Sequence, residues 1–235
     1  MKSFITEFRE RSNEVLEYLV FLEFMDSIAT NKRKCLKSES YQGHEISYLP
    51  NRECQKILRA NFYLILYNLV ESTLNSLISV VKDTINDEGV PLDKLESRLI
   101  NLHISGLYKN VTSQNRIIEI SRDLYKKTVR KDNVLLEKLG FDVSGNVDFT
   151  YFQRVVGTIG CRGNLRVDEN KVKRAMERTK SHRNKLAHGE WSFATAGSML
   201  TFAQIEEDYE CIDGFLSQTL DNLESYIDSK KYLMI

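Results

Sequence analysis

The residues best able to do chemistry in this 235-residue sequence stand together in Ser181-His182-Arg183-Asn184-Lys185-Leu186-Ala187-His188. An arginine offers a planar fork of donors suited to a phosphate oxygen. A histidine, with an unperturbed pKa of about 6.5, takes or gives a proton near neutral pH. Together they suit RNA cleavage. A base removes the proton of the 2′-hydroxyl, the hydroxyl attacks the adjacent phosphate, and a cation stabilises the developing charge. Five residues on an ideal helix correspond to a rotation of about 140°, so Arg183 and His188 do not share one narrow stripe. Both face one site if the helix ends or distorts near His188, which Gly189 encourages, or if a second copy of the chain completes the site. Spacing alone carries little weight, because an arginine and a histidine five apart recur by chance in many helices.

Other chemistries find less support. G-x-S-x-G, H-E-x-x-H, G-x-x-x-x-G-K-[ST] and G-x-G-x-x-G are all missing from the sequence, which disfavours the commoner hydrolase, metalloprotease and nucleotide-loop sites. Cys35, Cys54, Cys161 and Cys211 are widely spread, with no C-x-x-C and no histidine at ligand spacing. Four reduced, mostly buried thiols are expected rather than a zinc site or a disulfide scaffold. Acids are nearly lacking beside the motif, so neither a metal nor another cofactor is expected. His44 and His103 have no acid, base or nucleophile near them in sequence and read as structural or surface residues.

The elements that position the motif are helical by pattern. Hydrophobic residues make up 42% of the chain, enough for a sizeable core, and Pro50 and Pro91 are the only prolines, leaving long segments free to be helical. Phe4, Phe8, Val15, Leu16, Leu19, Leu22 and Met25 predict a helix over 4–30. Residues 31–50 read as a loop with a short extended piece at 46–49. Residues 52–86 are apolar on most sides and predict a central, buried helix. Its polar exceptions Asn61, Asn68, Glu71 and Asn75 lie near one stripe. They form either a solvated or hydrogen-bonded seam or a set of supporting groups behind an active site. Pro91 suits the first turn of a helix to about 105, and Thr112 or Ser113 suits a cap for the next. Residues 131–147 read as a connection with one short helical piece, and Asp148 as the cap of a short helix ending near Gly160. Asp168 caps the motif helix, which stops at Gly189. Residues 190–200 look irregular, and Thr201-Phe202-Ala203-Gln204 resembles a capping box before a helix to about Asp228. The expected fold is all-α: one domain over 1–235, a bundle with a helical insertion at about 90–165.

Charge is partitioned along this map. The totals balance, 33 Lys plus Arg against 33 Asp plus Glu, so no whole-molecule attraction to nucleic acid or membrane follows. Residues 171–188 carry seven Lys or Arg and one acid, whereas 204–228 carry eight acids and no Lys or Arg. The two segments are expected to pair in part, leaving cations near Arg183 and Lys185 for an anionic ligand. The N-terminus lacks the apolar run of a signal peptide. No unbroken run of 18 apolar residues occurs, so no membrane span and a cytoplasmic address are expected.

The stretch from Ser181 to Phe193, with Leu-Ala-His-Gly behind the arginine, resembles the R-x4-6-H signature of the HEPN superfamily. The string from Ala60 to Thr73 and the chain end from Tyr226 to Leu233 resemble the large prokaryotic HEPN proteins associated with defence. The resemblance runs in outline from about residue 50 to the end and is most specific at 183–193. It implies a HEPN-like helical bundle, dimerisation and, in many members, metal-independent RNase activity. Arg183 and His188 match the two catalytic positions, and Asn184 matches the polar residue that follows the arginine. Glu71 is a possible match to an acidic residue on the preceding core helix. Arg178, Lys180 and Lys185 are the cations expected to hold RNA. The implied function is a HEPN endoribonuclease, a toxin or anti-phage effector. The alternative is a non-catalytic dimerisation or RNA-binding subunit of a defence or toxin–antitoxin system, with a partner protein from the same operon.

Overall fold

The computed structural model describes all residues except Met1, 31–35, 40–44, Val134, Glu137, Lys138, Asp142, Ser144 and Ile235. The expectations for Cys35 and His44 therefore lie outside the described residues. Among the described residues eight α-helices make up most of the chain, and the fold is all-α. They are α1 (Lys2–Thr30), α2 (Arg52–Glu88), α3 (Ser97–Tyr108), α4 (Gln114–Arg130), α5 (Phe149–Ile159), α6 (Glu169–Ala187), α7 (Phe193–Ser198) and α8 (Phe202–Asp228). Strands β1 (Leu36–Glu39) and β2 (Glu45–Tyr48) pair antiparallel, with Leu36 opposite Tyr48. The sequence reading anticipated only the second of these strands.

The chain divides into two compact units, and α2 and α8 each contribute one half to either. One unit comprises Glu7–Val70 and Asp168–Gly214. Its core takes Val15, Leu19, Leu22 and Met25 from α1, Phe62, Tyr63, Leu66 and Tyr67 from α2, Val172, Ala175 and Met176 from α6, and Ile205 and Ile212 from α8. The α1 residues among them are those whose spacing marks an inward face in the sequence. Arg59 ties the unit further: it pairs with Asp26 at 2.5 Å and donates to the Leu200 carbonyl at 2.8 Å. Short helix α7 replaces the irregular stretch expected at 190–200. Ser192 caps it by accepting from Thr195 N–H at 3.1 Å. Gly197 explains its closeness to α2: a Cβ there would lie 1.8 Å from the Lys56 carbonyl oxygen.

The other unit comprises Met1–Thr6, Glu71–Val167 and Phe215–Ile235. It holds the segment read as an insertion, together with the later halves of α2 and α8. Its buried core takes Leu74, Leu77, Val81 and Ile85 from α2, Phe149, Phe152 and Val155 from α5, and Phe215 and Leu223 from α8, with the Phe215 ring against those of Phe149 and Phe152. Here the Pro91 segment departs from expectation. Pro91 opens a single 3-10 turn, Leu92–Lys94, and α3 begins only at Ser97. The later start has a cause in Glu96, whose side chain caps α3 by accepting from Arg98 N–H at 2.7 Å. Asn86 brackets Leu136, donating to its carbonyl and accepting from its N–H. That clamp orders part of the connection before α5 without any helical piece among its described residues.

Helix α2 contains a window long and apolar enough to cross a membrane by composition alone. In the folded chain its apolar residues supply core to both units.

Candidate active site

Helix α6 is built to present a basic end. Asp168 caps its start, accepting from the N–H groups of Asn170 and Lys171 at 2.9 and 3.2 Å. Val172, Ala175, Met176, Thr179, His182 and Leu186 are buried at spacings of three and four, so one face is committed to the core. The end is a Schellman motif. Glu190 N–H reaches the Lys185 carbonyl at 2.9 Å and Gly189 N–H reaches that of Leu186 at 3.1 Å. Gly189 takes φ +72°, a left-handed conformation that other residues adopt with strain. His188, the last residue before it, has φ −89° and ψ 0° and is exposed.

The first half of α6 is spent on structure. Arg178 makes a two-pronged pair with Asp208 of α8, Nε to Oδ2 and Nη2 to Oδ1, both at 2.7 Å. The Tyr63 hydroxyl donates to the same carboxylate at 2.6 Å, and Gln204 Nε2 adds a bond at 3.2 Å. Asp208 is buried, so its charge depends on these donors. The hydrogen bond to Asp208 raises the Arg178 pKa, and burial raises that of Tyr63. Lys171 also pairs with α8, at Glu207, 3.1 Å away. The two oppositely charged segments thus meet through Lys171 and Arg178. Arg178, expected among the RNA-holding cations, has its fork turned to Asp208 instead.

His182 is buried against aromatics. Its ring stacks on Tyr63, with centroids 4.7 Å apart and planes 19° apart, and meets Trp191 edge-on at 5.4 Å. Nδ1 lies 2.9 Å from the Arg178 carbonyl oxygen, so the neutral ring carries its proton on Nδ1. Nε2 is buried with no hydrogen-bond partner among the described residues. Burial lowers the His182 pKa, keeping it neutral near neutral pH.

The last turn is arranged differently. The Arg183 guanidinium carbon lies 4.8 Å above the centre of the Tyr67 ring, and Nη1 donates to Asn184 Oδ1 at 3.0 Å. A ring face and an amide oxygen hold the fork by its plane and one edge. Lys185 Nζ sits 3.9 Å over Trp191. Lys180, Arg183, Asn184 and Lys185 are all half-buried. Leu186, Ala60 and Ala196 form a small core cluster beneath, with Leu64 and Trp191 against it. The structure brings Asn184 to Arg183 and Lys185 to Trp191. It places Glu71 in the other unit, accepting from Gly145 N–H at 2.9 Å. Of the polar stripe on α2, Asn68 and Asn75 are exposed, whereas Asn61 and Glu71 are half-buried.

Sequence reasoning missed Tyr67, Trp191 and His182 as positioning residues. A signal existed: Tyr63 and Tyr67, one helical turn apart, interrupt an aliphatic face with rings that bind cations and imidazoles. Among the described residues no three His, Cys, Asp or Glu side chains converge in a metal-binding group. Chemically, the site offers an oriented guanidinium and an exposed imidazole at the end of one basic helix.

A family model described as MAE_28990-like HEPN matches residues 1–232. No curated protein matches, and no solved structure does. HEPN domains are often RNases, and the family implies an RNase or nucleotide-related function in general. With the match spanning all but three residues, the chain belongs to the HEPN superfamily.

Proposed function

We propose that this chain is a metal-independent endoribonuclease, a toxin or anti-phage defence effector that cuts RNA through the substrate's own 2′-hydroxyl. One observation carries the reading. Arg183 is oriented by Tyr67 and Asn184 at the same helix end where His188 is exposed to solvent. Arg183 binds and polarises the phosphate, and His188 moves the proton. Lys180 and Lys185 add positive potential. The nucleophile comes from the substrate because residues 171–188 hold one acid, Glu177, too few for the converging carboxylates of a two-metal site.

A symmetric homodimer in the cytoplasm completes the proposal, with the two motif ends facing each other across the two-fold axis. It is supported by an apolar stripe on α1. Leu16, Val20 and Phe24, one turn apart, remain 42%, 53% and 50% exposed, and a second copy would bury them. A partner protein from the same operon would hold the effector in check.

A second reading, an RNA-holding or dimerisation subunit without chemistry, is favoured by the His188 ring. No described residue of the same copy hydrogen-bonds it, so none of them sets its tautomer.

The test is incubation of purified protein with several RNAs in excess EDTA. Cleavage leaving a 2′,3′-cyclic phosphate and a 5′-hydroxyl, with an all-deoxy analogue untouched, is the expected result. Cleavage of the deoxy strand, or inhibition by EDTA that magnesium reverses, would refute the mechanism. Intact RNA throughout would favour the second reading.

A further inference from the structure

Helix α4 is anomalous among the long helices. Seventeen residues long, it has no buried residue. Helices in water draw most of their stability from packing one face, and α4 packs little. Ile120 and Leu124 turn toward a pocket shared with His103, Leu107 and Leu135. The opposite side carries Ile118, Arg122, Tyr125, Lys126, Val129 and Arg130, which fall within about 140° on an ideal helix. All six are exposed, Tyr125 by 70%.

Charge decides what such a face fits. The acids of α4 are already engaged, Glu119 with Arg116 at 3.1 Å and Asp123 with Lys127 at 3.0 Å. Arg122, Lys126 and Arg130 have no carboxylate partner among the described residues. From 114 to 131 there are six cations and two acids, a net of +4 in a chain whose total is zero. A polyanion complements that stripe. The exposed tyrosine between the cations adds a ring on which an unpaired base stacks, whereas a duplex has no free base face along its length. From Ile118 to Arg130 the stripe is about 18 Å long, roughly five stacked nucleotides at about 3.4 Å each.

We propose that the outward face of α4 is a docking track for single-stranded RNA, with Arg122, Lys126 and Arg130 on phosphates and Tyr125 stacked on a base. The proposal rests on RNA as the ligand class but not on its cleavage.

Binding of a fluorescent single-stranded oligoribonucleotide is measured against salt with the full chain carrying His188→Gln, which keeps the RNA whole. The slope of log affinity against log salt should fall by about 2 in R122Q/K126Q/R130Q, from about 0.7 per phosphate contact. Tyr125→Ala should weaken binding about tenfold with the slope unchanged. A duplex of the same sequence should bind more weakly and ignore Tyr125→Ala. Helix content by circular dichroism confirms that each variant is folded. Unchanged affinity and slope in the variants, or no binding by the parent, would overturn the track and leave the face to an acidic protein partner. Bound RNA with these dependences that the wild-type chain leaves intact would uphold the track and sink the nuclease reading alone.

Discussion

Helix α6 carries two arginine–histidine pairs with opposite environments. Arg178 and His182, one turn apart, face inward: the arginine locks onto a buried carboxylate and the imidazole is pressed between Tyr63 and Trp191. Arg183 and His188, five apart across the helix end, face outward: the arginine is held by its plane and the histidine is left in water. The residue types are the same, so type does not make a site. The inward pair has donors already matched to acceptors and a ring kept neutral by burial. At the outward pair the Schellman end stops the helix at Gly189 and leaves the His188 side chain exposed.

The sharpest way to separate the pairs is to remove one cation. Arg178→Ala leaves Asp208 buried beside Tyr63 and Gln204 only, and should cost about 3 kcal/mol in denaturant unfolding. Arg183→Ala, which loses the Tyr67 ring contact and the bond to Asn184 at the half-exposed end, should cost about 1 kcal/mol. Equal costs would erase the contrast. A smaller effect is expected from loosening the outward arginine. Tyr67→Ala removes the ring beneath it and, per folded molecule, should slow RNA cleavage about tenfold, while Tyr67→Phe keeps the face and the rate. Loss in both variants alike would assign Tyr67 to its hydroxyl instead.

The inward histidine should be visible in pH dependence. Burial lowers the His182 pKa below the ordinary value of about 6.5 that it regains on unfolding. The unfolded chain therefore binds more protons in that window. The stabilisation is fully present above about pH 6.5 and is lost as pH falls through the folded value. His182→Phe should flatten the unfolding midpoint between about pH 7 and 5, and an undiminished slope would contradict it. The smallest effect concerns Glu71. Glu71→Gln keeps an acceptor for Gly145 N–H, so stability should change by less than about 1 kcal/mol and cleavage less than in Arg183 or His188 variants. A loss of cleavage as large as theirs would move Glu71 into the chemistry.

Much of this was legible in the sequence. The apolar spacing of α1 and α2 and the caps at Asp148, Asp168 and Thr201 marked helices, because those signals are local and strong. Gly189 announced the helix end for the same reason. The Arg178–Asp208 pair was not legible because seven cations on one helix look alike until the acidic helix opposite is positioned, and only folding shows that Asp208 is the buried acid. Helix α7 was missed because it is six residues long and its close approach to α2, Gly197 against Lys56, joins residues far apart in sequence. The β1–β2 hairpin was only half seen because its first strand, Leu36–Glu39, has one large apolar residue and little pattern of its own.

The most direct test of the account is single-turnover RNA cleavage in EDTA by wild type, Arg183→Ala, His188→Ala and Arg178→Ala, each normalised to its folded fraction. The two outward variants should lose cleavage by at least about a thousandfold while remaining folded, and Arg178→Ala should cleave at close to the wild-type rate per folded molecule. Wild-type cleavage by His188→Ala, or a loss in Arg178→Ala as deep as in Arg183→Ala, would contradict the division of α6 into a structural half and a chemical end.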